Sequence, residues 1–102
     1  MTCRNKKEAS KISGALLDKR LISCASSISG VGSRFWWAGK IDSAREVMVI
    51  VKSSVKNFRK IEKEIKKLHS YEVPEIIAVP IIAGSADYLR WIGKSVKTAN
   101  VK

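Results

Sequence analysis

Acidic residues are scarce in this sequence. Nine Asp and Glu stand against 20 Lys and Arg, for a formal net charge of +11. An excess of that size attracts phosphates, nucleic acid and anionic membranes at low salt, although it speaks to association rather than to fold. Cysteine is rarer still. Cys3 and Cys24 are the only two, and they form no Cys-x-x-Cys pair, so no disulfide scaffold is expected. Free thiols and a polar start, MTCRNKKEAS, with no apolar signal segment point to a cytoplasmic protein. No apolar run approaches the roughly 20 residues that span a bilayer, so no membrane partner is expected. His69 is the single histidine, and no zinc-finger or EF-hand spacing occurs. A Gly-x-Ser-x-Gly elbow is missing, and GVGSR at 30–34 is too short for a phosphate loop and lacks its lysine. Enzymatic activity has no positive support, and the chain reads as non-enzymatic.

What is present fits one small domain over residues 1–102, with a polar, basic end at about 97–102 that frays. Residues 6–21 have an apolar stripe of Ala9, Ile12, Leu16 and Ala15 at helical spacing. Asn5 suits the N-cap and Glu8 the reciprocal position of a capping box. Gly14 costs such a helix about 1 kcal/mol relative to alanine, and close packing on a sheet would explain it. Residues 22–37 read as a strand in which Ile22, Cys24 and Ile28 face inward and Gly30 and Gly32 mark a bulge. AGKIDSARE then supplies a connection. The run Val47–Val51 in EVMVIVK predicts a second strand buried on both faces. Together these form a long hairpin.

Residues 54–69 predict a second helix, with Phe58, Ile61, Ile65 and Leu68 inward and Lys56, Arg59, Lys60, Lys63 and Lys67 off that stripe. Glu62 and Glu64 interrupt the cations, so this face reads as solvated with local ion pairs, and nucleic acid as an improbable partner. VPEIIAVPII at 73–82 reads as a strand, with Pro80 at an edge or bulge. A short closing helix starts at Ser85 and docks through Tyr88, Trp91 and Ile92.

Two constellations are candidates for function. Arg34, Phe35, Trp36 and Trp37 could stack on single-stranded nucleic acid. Large aromatics projecting to both faces of a hairpin suit a subunit interface better. Cys3, Cys24, His69 and Glu75 offer thiolate, imidazole and carboxylate donors, a set that suits copper or zinc. Cys24 fits a small buried hydrophobe better than a ligand. His69 also fits a helix C-terminus, where its protonated form meets the dipole.

Four segments carry a family likeness. KRLISCASSI at 19–28 resembles ERLAACVNII, and RFWWAGKI at 34–41 resembles Y-x-W-E-G-K-I. LHSYEVPEIIAVP at 68–80 is similar to LHPYEVPEIIALP, and DYLRWI at 87–92 to DYLxWL. In this order, and over about residues 2–96, they resemble the CutA family of divalent-cation tolerance proteins. The resemblance implies an α+β, ferredoxin-like fold of βαββαβ type, similar to PII proteins, with a long central hairpin and a C-terminal helix. It implies a homotrimer in which Phe35, Trp36, Trp37 and Tyr71 lie at the interface. It also implies a response to metal ions and binding of divalent metal such as copper, with Cys3, His69 and Glu75 as ligands. Family members carry several apolar residues before the position of Thr2-Cys3, so a short or truncated first strand is expected. Ser70 and Ala38 replace a usual proline and glutamate. Alternative readings are a basic nucleic-acid-binding module and a PII-like small-ligand sensor using intersubunit clefts.

Overall fold

The computed structural model describes residues 1–97 of the chain. Its elements run β1 (Thr2–Cys3), α1 (Lys6–Asp18), β2 (Cys24–Trp37), β3 (Lys40–Lys52), a 3-10 turn (Val55–Asn57), α2 (Phe58–Leu68) and α3 (Ala86–Ser95). The expected end about 97–102 falls almost wholly outside the described residues. Lys97 itself is tied down, donating its amide to the Arg20 carbonyl at 2.8 Å.

The start of α1 follows its cap. Asn5 Oδ1 accepts the Glu8 amide at 2.9 Å, which satisfies one of the first-turn donors that lack a helical partner. The Glu8 carboxylate closes the return bond one residue early, on the amide of Arg4 at 2.8 Å. The helix ends three residues sooner than its apolar pattern suggests. Arg20 adopts φ 56°, its amide donates to the Leu17 carbonyl, and that of Leu21 donates to Leu16. This is a Schellman motif, with Leu16 and Leu21 supplying the apolar contact that accompanies it. Arginine stands where glycine is the common choice, so composition gives no stop signal. Gly14 does not serve close packing: among the described residues, a Cβ there would meet no atom beyond its own stretch of helix within 4 Å.

The hairpin is longer and its turn tighter than the sequence suggests. Antiparallel pairing runs from Cys24↔Lys52 to Trp37↔Lys40. Only Ala38 and Gly39 form the turn, at φ 52° and 80°, so KIDSARE lies within β3 instead of a connection. Positive φ at both central residues matches the twist of the strands they join. The register shifts between Ile28 and Val31, where Gly30 has φ 73°. That is the expected bulge, whereas Gly32 pairs with Arg45 in the regular ladder.

Strand order is β1-β3-β2. Strand β1 is two residues long, as expected, but it lies at an edge of this sheet and β3 takes the centre. Pairing of Thr2 with Met48 and Cys3 with Val47 is extended by Met1, whose carbonyl accepts the Val49 amide at 2.7 Å. Residues 73–82 form no strand. Their composition suits one, but a strand needs a ladder, and among the described residues this segment pairs with neither edge of the sheet.

Both helices cover one face of the sheet. Ala9, Ile12 and Leu16 of α1 and Ile61 and Ile65 of α2 pack with Cys3, Val47 and Val49. Full burial of one such aliphatic side chain contributes about 1.5–3 kcal/mol. The opposite face is only partly covered. Ile50 is 46 % exposed and Ile28 51 %, so neither the two-sided burial expected of β3 nor the inward position of Ile28 is found. Lys19 Nζ joins the helices through Glu64 at 2.9 Å. In α3, Ile92 is buried while Tyr88 and Trp91 stay substantially exposed.

Candidate metal centre

Three elements deliver three donor groups to one place. Strand β1 carries Cys3 into the core. The first turn of α1 carries Glu8, and the end of α2 carries His69. One ligand atom from each of Cys3, Glu8 and His69 lies within 4.8 Å of the other two. The imidazole sits there because α2 stops at His69. Its amide closes the last turn on Ile65 at 2.8 Å, and its backbone turns extended at φ −79°, ψ 142°.

Both ring nitrogens are engaged. Nε2 lies 2.9 Å from the Thr2 carbonyl, which can only accept, so Nε2 carries the proton. Nδ1 accepts the Tyr71 amide at 3.1 Å. The Tyr71 ring packs on the imidazole at 4.7 Å between centroids. Glu8 Oε2 lies 3.8 Å from Nδ1 and accepts the Ser70 amide at 2.6 Å. Burial pushes the Glu8 carboxyl up, but the amides of Arg4 and Ser70 and the neighbouring His69 outweigh it and hold the group below the usual range. Ser70 therefore has a definite effect: proline, the usual residue of the resembled motif, has no amide proton to give Glu8. The Cys3 thiol is pushed up to about 11, first by burial and then by the Glu8 carboxylate.

These groups suit a borderline-soft divalent cation. Tetrahedral zinc with bonds of about 2.0–2.3 Å needs ligand atoms about 3.5 Å apart, and the 3.8 Å between Glu8 and His69 already approaches that. Ligation has two costs. The imidazole must release one hydrogen bond, and the thiol must lose its proton, at about 5 kcal/mol near pH 7.

Of the residues singled out from sequence, Cys3 and His69 come together. Glu75 stands outside their group, exposed, its Oε1 accepting the Thr2 hydroxyl at 3.4 Å. Cys24 is half-buried near the Tyr88 hydroxyl, 3.7 Å away, and both cysteines are free. Glu8 was missed as a member of the cluster because its capping role accounted for it. Phe35, Trp36 and Trp37 lie on the outer hairpin, Trp36 being 73 % exposed. With Asp42, Glu46, Tyr71 and Glu75 they line a groove of about 780 Å³. Tyr71 donates its hydroxyl to buried Glu46 at 2.6 Å. No helix among the described residues is long and apolar enough to cross a membrane.

The family model for the CutA1 divalent ion tolerance protein matches residues 1–95. The divalent-cation tolerance protein CutA of Archaeoglobus fulgidus is 39 % identical over 97 residues, which are 95 % of this chain and 94 % of that one. The Thermus thermophilus CutA is 35 % identical over 92 residues, 90 % of this chain and 89 % of its own. The solved Thermus structure of the divalent cation tolerance protein superposes with TM-score 0.92 at 33 % identity, covering 94 % of this chain and 93 % of its own. The periplasmic divalent cation tolerance protein CutA from Archaeoglobus fulgidus gives TM-score 0.91 at 38 % identity, with the same coverage. The expected α+β fold is thus that of solved CutA1 structures, and the chain belongs to the CutA1 family of divalent ion tolerance proteins.

Proposed function

We propose that this protein is a homotrimeric, non-enzymatic divalent-cation tolerance protein that binds a metal such as copper at Cys3 and His69. The observation that carries this reading is the convergence of thiol, imidazole and carboxylate within 4.8 Å in a chain with only one histidine and two cysteines. Glu8 is the third donor in this reading, in place of Glu75. The metal, when bound, supplies a Lewis-acidic centre that holds these three side chains together. The protein contributes a buried cluster of donors that are partly engaged, which favours weak, exchangeable binding over a permanent structural ion. Two unpaired thiols support residence in a reducing compartment such as the cytoplasm; the Archaeoglobus relative is described as periplasmic.

Trimer formation is supported by what the single chain leaves uncovered. Ile28, Trp36, Trp37 and Ile41 on the hairpin, and Ile77, Val79 and Ile82 in the unpaired segment 73–82, are all exposed. Unpaired backbone beside an apolar surface is a template for another strand. The outer groove is acidic, through Asp42, Glu46, Glu72 and Glu75, so no observation favours a phosphate-bearing ligand of the PII kind there.

Titration calorimetry with copper(II) and zinc(II) tests the metal reading on wild type, Cys3→Ser, His69→Ala, Glu8→Gln and Glu75→Gln. Affinity should fall at least about tenfold in the first three variants, the size of effect expected for losing a metal-site partner, and stay unchanged in Glu75→Gln. Equal affinity in wild type and His69→Ala removes the imidazole from the site. Sedimentation equilibrium tests assembly, and a stable monomer at micromolar concentration refutes the trimer.

A further inference from the structure

The chain's charge is segregated by face. Residues 4–20 hold six Lys and Arg against two carboxylates, and residues 55–69 again hold six against two, so these segments account for eight of the eleven net positive charges. Four of the nine carboxylates, Asp42, Glu46, Glu72 and Glu75, instead line the groove by the hairpin. Helices α1 and α2 pack side by side and bury their apolar stripes against the sheet, which turns their cations to solvent as one layer. Local ion pairs use few of them: Lys19 and Lys67 meet Glu64, and Lys66 meets Glu62. Lys6, Lys7, Lys11, Arg59, Lys60 and Lys63 are exposed and take part in no ion pair among the described residues. Viewed alone, α2 suggests a neutralised, solvated face. Its neighbour α1 adds cations and one outward counter-charge, the exposed Asp18 at its end, since Glu8 is turned inward to His69.

We propose that the solvent face of α1 and α2 binds duplex nucleic acid through the phosphate backbone, without reading base sequence. Three observations select this partner. First, the layer matches a linear polyanion. Lys7 and Lys11 are four residues apart and Lys60 and Lys63 three, so each pair shares a face. The 13 residues of α1 run about 20 Å at 1.5 Å each, alongside about twelve duplex phosphates at one charge per about 1.7 Å. Second, the aromatics that would stack on unpaired bases, Phe35, Trp36 and Trp37, belong to the hairpin groove and not to this layer, which disfavours a single strand. Third, the layer has few apolar side chains to insert into a bilayer: its exposed large hydrophobics are Leu17 and Val55. Lysine predominates over arginine, which suits point-charge contact with phosphate more than bidentate base reading. This inference is independent of the metal site. In a trimer it would be repeated three times, so weak contacts would reinforce one another.

Fluorescence anisotropy with a labelled 20-base-pair duplex tests it, across 25–300 mM salt and with two unrelated sequences. Micromolar binding is expected at the lower salt concentrations, equal for both sequences. The log–log salt slope should be about −5, at about −0.9 per phosphate neutralised. Combining Lys7→Gln, Lys60→Gln and Lys63→Gln should reduce the slope by about 2.7 and weaken binding by about 100-fold or more near 0.1 M salt. Combining Lys40→Gln, Arg45→Gln and Lys94→Gln removes the same charge outside the helix layer and should leave affinity within about threefold. An equal loss in both triple variants overturns the assignment to the helix layer. Tighter binding of a single strand than of duplex, binding only to phosphatidylserine vesicles, or no duplex binding at 25 mM salt each overturns the proposal.

Discussion

Ala38 occupies the most demanding backbone position of the hairpin turn. It has φ 52° and precedes Gly39 at φ 80°, while the flanking pair Trp37↔Lys40 fixes a two-residue turn. A side chain with a Cβ in this left-handed region costs about 1–2 kcal/mol. Asparagine tolerates the region better, and Asn-Gly is a preferred pair for this turn. Ala38→Asn should therefore stabilise the fold by about 1 kcal/mol, a rise of about 4–8 °C in melting temperature for a domain of this size. Ala38→Gly should gain less, because the entropy glycine loses on ordering offsets about 0.5–1 kcal/mol. Ala38→Val should lose at least about 1 kcal/mol, since β-branched residues are true outliers at positive φ. Residue 38 is exposed, so lost packing does not confound the series. Thermal and guanidinium midpoints, measured at one protein concentration, rank the four proteins. Equal stability of Asn, Ala and Val at this position would refute the turn geometry and the strain assigned to it.

The other helix and site residues give further expectations. Gly14→Ala should stabilise by about 1 kcal/mol in urea unfolding, because it gains helix propensity where the added methyl group meets no other part of the described structure within 4 Å; a loss would mean that α1 packs more tightly there. Ser70→Pro removes the amide held by Glu8 at 2.6 Å and should cost about 1 kcal/mol, the lost charge-assisted bond exceeding proline's entropic gain. Glu8→Gln should then cost less in that background than in wild type, and equal costs would refute the coupling. Lys19 holds the Glu64 carboxyl below its ordinary 4.5. A lowered folded-state value means stability that is present above about pH 4.5 and lost as pH falls through the folded value. Glu64→Gln should accordingly be less stable than wild type at pH 7 and converge with it in acid; a gap that stays constant from pH 7 to pH 3 would refute this.

The fold was legible wherever a periodic apolar pattern finds its partner within the chain. Ile12 and Leu16, and Ile61 and Ile65, announce their helices at a spacing of four, and the same residues build the core. Legibility failed at Arg20, because the stop of α1 resides in a backbone conformation that arginine does not advertise. It failed at 73–82 for another reason. Alternating and apolar residues there state a preference for extended backbone, but pairing depends on a second edge. Val47 and Ile50 illustrate the same limit within a single strand. Both belong to one apolar run, yet Val47 is buried under the helices while Ile50 faces the poorly covered side. Hydrophobicity records what a residue gains by burial, not whether this chain supplies the cover.

The candidate site was half legible for a related reason. Cys3 and His69 stand out because thiols and imidazoles are rare here, and rarity draws attention to chemistry. Glu8 does not stand out, because a carboxylate three residues after Asn5 already has a structural explanation at the helix start. The structure gives it both tasks at once: Oε1 holds the Arg4 amide and Oε2 holds that of Ser70, 62 residues away. Sequence spacing predicts a return bond at the helix start, found one residue early on Arg4, and carries no information about the second. Ser70 was the available signal. Replacing a motif proline with serine looks like a loss of turn rigidity when read locally. It also restores an amide proton, and in this fold that proton faces Glu8, the carboxylate that joins Cys3 and His69 among the described residues.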